Sequence, residues 1–141
     1  MRFLIIRKAD VDTEAGVEPS PELLDAMMRY HDEMMAAGIL LQGTGLHPSS
    51  RSARVRFSDG QPAVLDGPFA ETKELIAGFS MIEVASLDEA IAWVKMWPTL
   101  DGGGNVEIEI RPVIEPGDLG AAAEPALRQF QERVRAAAAR R

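Results

Sequence analysis

His31 and His47 are the only histidines in these 141 residues, and there is no cysteine at all. The missing thiols remove disulfides, thiolate nucleophiles, zinc-finger spacings and iron–sulfur ligation together. Proton transfer near neutral pH therefore falls to two imidazoles and their carboxylate neighbours. His47 stands before Pro48 in the glycine-bordered segment Gly43-Thr44-Gly45-Leu46-His47-Pro48-Ser49-Ser50, where a ligand could reach it. An imidazole titrating near pH 6.5 suits general-base work, and a carboxylate within hydrogen-bond reach would orient the ring. Asp66 is the candidate orienter, which makes His47 and Asp66 the candidate catalytic pair. The plainer alternative is a loop histidine capping a backbone carbonyl. His31 sits on an apolar helix face among Met27, Met34 and Met35, the setting of a satisfied core histidine. The two histidines lack i, i+4 pairing, so no metal site is expected. Gly102-Gly103-Gly104 lacks the Lys-Ser/Thr of a phosphate loop and leads into a strand. No cofactor is expected either.

A second cluster of polar groups lies between two apolar strands, in Asp66-Gly67-Pro68-Phe69-Ala70-Glu71-Thr72-Lys73-Glu74. Gly-Pro sets a tight turn, because proline holds φ near −65° and glycine accepts conformations others avoid. Asp66 would then end a strand with its carboxylate free. Phe69 is either the apolar wall of a pocket or a plug anchoring the loop. Glu71, Thr72 and Lys73 complete the candidate substrate-binding set, with Lys73 as a contact for an anion or oxyanion.

The elements that must position these groups follow from hydrophobic period. Phe3 to Ile6 is short and aliphatic, a buried strand. Ser20-Pro21 reads as N-cap and first helical position of a helix running from Glu22 to Ala37 and stopped by Gly38. Ile39-Leu40-Leu41 is a second strand, and Gly43 to Ser50 a loop. Ala53 to Phe57, Ser58-Asp59-Gly60 and Ala63 to Leu65 form a hairpin. Phe79 to Val84 is the next strand, and Ser86-Leu87-Asp88-Glu89 a capping box opening a helix that ends by Pro98. Val106 to Arg111 alternates strictly. Val106, Ile108 and Ile110 should face the helices, turning Glu107, Glu109 and Arg111 outward beside Phe79, Met81 and Glu83. From Pro125 an alanine-rich helix carries Leu127, Phe130 and Val134 on a narrow stripe among arginines. It reads as a solvated helix, or as one docked on the body or a second subunit.

This order, with two β-α-β units in succession, predicts an α+β fold of the ferredoxin-like split type, with an inserted hairpin and an extra C-terminal helix. Residues 1–116 make the domain and 117–141 the extension. Both helices would cover one sheet face, and a homodimer would roof the other, enclosing a cleft bordered by His47 and the Asp66 to Glu74 loop. The alternative for that face is an edge decorated with charge against aggregation.

Composition narrows the partners. With 15 basic against 22 acidic side chains the net charge is −7, which argues against direct nucleic-acid binding. No apolar run approaches the roughly 20 residues that cross a bilayer, and the opening Met1 to Arg7 lacks a signal-peptide pattern. The expectation is a cytoplasmic chain with no membrane partner.

Asp66-Gly67-Pro68-Phe69 followed by Glu71-Thr72-Lys73-Glu74 closely resembles the signature of the DGPF branch of the YCII-related family. The likeness takes in Gly43 to Ser50, Ala53 to Phe57, Gly78-Phe79, Ser86 to Ala90 and Glu107 to Pro112, up to about Pro116. The resemblance implies a dimeric α+β barrel that binds an unknown small molecule and carries out cofactor-independent acid–base chemistry. Some members bear the label "transcription initiation protein", and their genes often lie near those of sigma factors. That label implies the alternative of a non-enzymatic regulatory module with a sigma factor or other protein partner. Smaller relatives carry a His and Asp pair whose His lies near the start of the first helix. Here that stretch reads Glu22-Leu23-Leu24-Asp25, and His31 lies about two turns further on.

Overall fold

Ser20 accepts a hydrogen bond from the Leu23 N–H at 3.1 Å, and Pro21 supplies the first helical residue, so the helix Pro21–Ala36 begins where its cap and fixed φ dictate. The computed structural model describes residues 1–141. Its regular elements are β1 (Arg2–Lys8), α1 (Val11–Glu14), α2 (Pro21–Ala36), β2 (Leu40–Gly45), β3 (Ala53–Ser58), β4 (Gln61–Asp66), β5 (Ile76–Glu83), α3 (Leu87–Val94), β6 (Ile108–Pro112) and α4 (Glu124–Ala139). Four strands form one antiparallel sheet in the order β2-β5-β1-β6, while β3 and β4 pair only with each other. The fold is the expected ferredoxin-like α+β plan with an inserted hairpin and a further C-terminal helix.

Register sorts the side chains into two faces, because successive residues of a strand point to opposite sides. Toward the helices, one row runs Leu40, Ile82, Phe3; the next runs Gly43, Ser80, Ile5, Ile110; the third runs Gly45, Gly78, Arg7, Ile108. Phe3, Ile5 and Ile82 pack with Tyr30, Met34, Ile39, Val84 and Ala90 into the core. Tyr30 donates its hydroxyl to the Trp93 carbonyl at 2.7 Å, and burial raises the phenol's pKa to about 12. On the other face Leu4, Ile6, Phe79 and Met81 sit beside Glu109 and Arg111, as the alternation predicts. Arg2 on this side pairs with Glu115 at 2.8 Å, which tethers the chain after β6 to the start of β1.

Three local differences have local causes. β2 continues through Gly43 and Gly45, read from sequence as loop, because their backbone groups are paired by Ser80 and Gly78 of β5. Asp10 builds the extra turn α1 out of a polar segment by accepting from the Thr13 N–H at 2.8 Å. Val106 precedes β6 instead of joining it. α4 buries no residue, and no helix is long and apolar enough to cross a membrane.

Candidate functional site

The third helix-side row is where the core stops. Gly43, Gly45 and Gly78 present no side chain to α2, and Ser80 presents a small one. A cleft of about 870 Å³ opens there between α2 and the sheet. Leu23, Leu24, Met27 and Met28 of α2 form its apolar wall; the segment around α1 and the Trp97 to Gly103 turn close its ends. Two of the glycines have close neighbours: a Cβ at Gly43 would lie in contact with the His31 ring at 3.4 Å, and one at Gly78 would meet the Thr44 carbonyl at 2.9 Å.

His31 stands over that floor. Its Nδ1 lies 2.7 Å from the Met27 carbonyl, an oxygen that can only accept, so Nδ1 carries the proton of the neutral ring. Nε2 is left with a free lone pair facing Gly43. Sequence reading placed His31 as a satisfied core residue. Half of that is right: one nitrogen is satisfied and the other is presented to the cleft. Ser80 is only 5% exposed, and its hydroxyl, which makes no hydrogen bond within the chain, opens on the cleft.

The far end of the cleft is held by charge. Arg7 grips Asp101 through two bonds of 2.7 and 3.0 Å, reaches Asp10 at 3.1 Å and donates to the Lys8 carbonyl. Trp97 donates its indole N–H to Asp101 at 2.9 Å. Burial pushes the Asp101 and Asp10 carboxyls upward, but the donors facing them outweigh it and hold both below the usual carboxylate range. The Asp101 hydrogen bonds raise Arg7 above its ordinary value. With its guanidinium committed to two carboxylates, Arg7 has little left for a ligand.

The Asp66 to Glu74 loop lies elsewhere. Gly67 packs so closely on the Ser49 backbone that any Cβ there would collide with it. The Phe69 N–H donates to Ser49 Oγ at 3.0 Å, while the Ser49 hydroxyl and N–H donate to Glu14 of α1 at 2.5 and 3.0 Å. Arg54 lies 3.9 Å above the Phe69 ring centre and 3.6 Å from Glu71. Phe69 thus plugs the loop onto the body, beside a smaller cavity of about 260 Å³ that it shares with His47, Ser49 and Arg54.

A family model described as the YCII-related domain matches residues 1–115. The chain belongs to the YCII-related family. An uncharacterised protein of Rhizobium meliloti (strain 1021) is 38% identical over 97 residues, which is 68% of this chain and 76% of that one. Among solved structures, 5-chloro-2-hydroxyhydroquinone dehydrochlorinase (TftG) from Burkholderia phenoliruptrix AC1100, in complex with 2,5-dihydroxybenzoquinone, matches with a TM-score of 0.43 and 18% identity. That match covers 82% of this chain and 95% of the other.

Within this YCII-related chain the residues expected to form a site do not converge. His47 is exposed at the rim, with both ring nitrogens 3.0 Å from Arg51 Nη1, and no hydrogen bond joins it to Asp66. Asp66 is exposed at the end of β4 opposite Ala53. Asp66, Glu71, Thr72 and Lys73 line neither cavity, and Lys73 is exposed on the short turn Thr72–Glu74. The cleft lies on the helix side of the sheet, with a lining supplied by this one chain. The reason is subtraction: small residues at 43, 45, 78 and 80 empty one corner of the intramolecular layer. Their only sequence signal was glycine spacing in β2 and β5, which becomes informative once those strands are paired.

Proposed function

We propose that this protein binds a small molecule in the cleft between α2 and the sheet, anchored at His31. One observation carries the reading. Over a floor of Gly43, Gly45, Gly78 and Ser80, a ring whose tautomer is set by the Met27 carbonyl turns its basic nitrogen into about 870 Å³ of space. Ligand sites of roughly 300–1,000 Å³ with apolar walls and few polar groups are the common form. A neutral imidazole with Nε2 free is a general base that needs no metal, so proton abstraction from a bound molecule is the reaction class the site supports. The Asp66 to Glu74 loop acts at one remove, bracing α1 through Ser49 and Glu14.

The uncovered sheet face supports a homodimer. Leu4, Phe79 and Met81, half-buried in the single chain, make an apolar centre beside the buried Ile6, and Glu83, Glu109 and Arg111 a polar rim, the anatomy of an interface between copies. Met81→Glu is expected to shift the sedimentation coefficient from dimer to monomer.

A Cβ at Gly45 meets nothing within 4 Å, so the backbone there has room for the first side-chain atom of Gly45→Leu, which carries bulk into the cleft. Titration with the neutral dye Nile red should show saturable fluorescence that Gly45→Leu weakens at least about tenfold, with the melting temperature unchanged or raised. Equal dye binding by both proteins would overturn the cleft reading.

A further inference from the structure

We propose that His31 and Ser80 together hold one hydroxyl group of an uncharged, largely apolar ligand, a phenol or hydrophobic alcohol, in the space above Gly43. This rests on the cleft reading and names its substrate class. Gly43 is the cross-strand partner of Ser80, and the place its missing Cβ would occupy is 3.4 Å from His31 Nε2. Directly opposed residues of antiparallel strands lie about 4.5–5.5 Å apart at Cα, so the serine hydroxyl and the imidazole nitrogen border one gap.

The two groups ask for different things. Nε2 can only accept, because Nδ1 already carries the proton. Ser80 can donate: the residue is 5% exposed and lines the cleft, and its hydroxyl makes no hydrogen bond within the chain, so it is open to a partner from the cleft. A ligand hydroxyl satisfies both, giving its proton to Nε2 and accepting from Ser80 Oγ. An ammonium group could only donate, and a carboxylate or a phosphate-ester dianion could only accept.

Charge removes the anions a second time. Asp10, Asp12, Glu18 and Asp101 line the cleft, and its one guanidinium, Arg7, is bound to two of them. The remaining wall, from Leu23 to Met28 and at Leu100, offers apolar contact to a ring or alkyl body.

The test uses the full-length protein and three probes of similar shape: 4-ethylphenol, its methyl ether 4-ethylanisole, and 4-ethylbenzoate. Binding is followed by backbone amide chemical shifts and calorimetry. The phenol should bind, with the largest shifts at Gly43, Gly45 and Ser80. The ether, which cannot donate, should bind at least about tenfold more weakly, and the benzoate should not bind. Ser80→Ala should weaken the phenol by about five- to tenfold. His31→Phe should abolish the preference for phenol over ether. Equal affinity for phenol and ether, or an unaltered phenol affinity in Ser80→Ala, would overturn the hydroxyl grip while leaving the cleft reading intact. Tight benzoate binding would overturn the exclusion of anions. Failure of all three probes would overturn the substrate class, whereas the Nile red titration judges the cleft on its own.

Discussion

The layer between the helices and the sheet has two halves built from the same strands. In one, Leu40, Ile82 and Phe3 stand in a row beneath Tyr30, Met34 and Ala90, and Phe3 and Ala90 are fully buried. Two registers along, the same strands offer Gly45, Gly78 and Arg7, and the space fills with nothing from the chain. Backbone pairing is continuous through both halves. The two halves therefore differ in side-chain volume: the packed half excludes water, and the hollow half leaves open space under a helix that its neighbour holds in place.

The sharpest way to break this contrast is to carve the filled half. Phe3→Ala should cost about 3–5 kcal/mol in chemical denaturation, since a large side chain with no exposure leaves a cavity that its neighbours close only in part. A comparable loss after Leu23→Ala, on the wall of the cleft, would erase the distinction. Leu23 already faces open space on one side, so about 1 kcal/mol or less is expected there.

Next in size is the charged end of the hollow half. Asp101→Asn leaves Arg7 buried with a weaker partner and should cost about 3 kcal/mol. The pH dependence follows from the directions of the shifts. Asp101 and Asp10 are held below the 3.8 of an ordinary aspartate, so the unfolded chain takes up protons first as pH falls. Their contribution is whole above that value and is lost as pH drops through the lower folded values. Melting temperatures of the wild type should fall more steeply below about pH 4 than those of Asp101→Asn. Parallel curves would show that the pair does not stabilise this end.

The smallest effect sharpens the contrast from the helix side. Ser20 caps α2 just before the cleft wall, and Ser20→Ala should cost about 1 kcal/mol. Hydrogen exchange should quicken in the first turn of α2 and not around Tyr30, because the cap holds only the end that lies over empty space.

Much of the architecture was readable as pattern. The Ser20-Pro21 start, the Ser86 cap, the alternation of Ile108, Glu109 and Ile110, and the ferredoxin-like order all depend on neighbours a few residues apart. β2 was cut short in the sequence reading because Gly43 and Gly45 oppose strand formation by propensity, yet β5 supplies their hydrogen bonds. The site was much less legible. His47 and Asp66 flank turn residues in a manner that suggests chemistry, but the fold sends Asp66 to the tip of β4 and gives His47 to Arg51. His31 was hidden among methionines because its second nitrogen matters only once Gly43 is known to lie beneath it.

By itself the sequence determined the type and order of the elements, their caps, and which side of each strand is apolar, since these are set by short-range period and by residues that cap or break. Only the tertiary structure decided that three glycines and a serine from two strands meet under one histidine, and that the Asp66 to Phe69 motif braces α1 instead of lining the cleft. Empty space has no residue to announce it: a cavity is a relation among distant positions, and it exists only after their register is fixed.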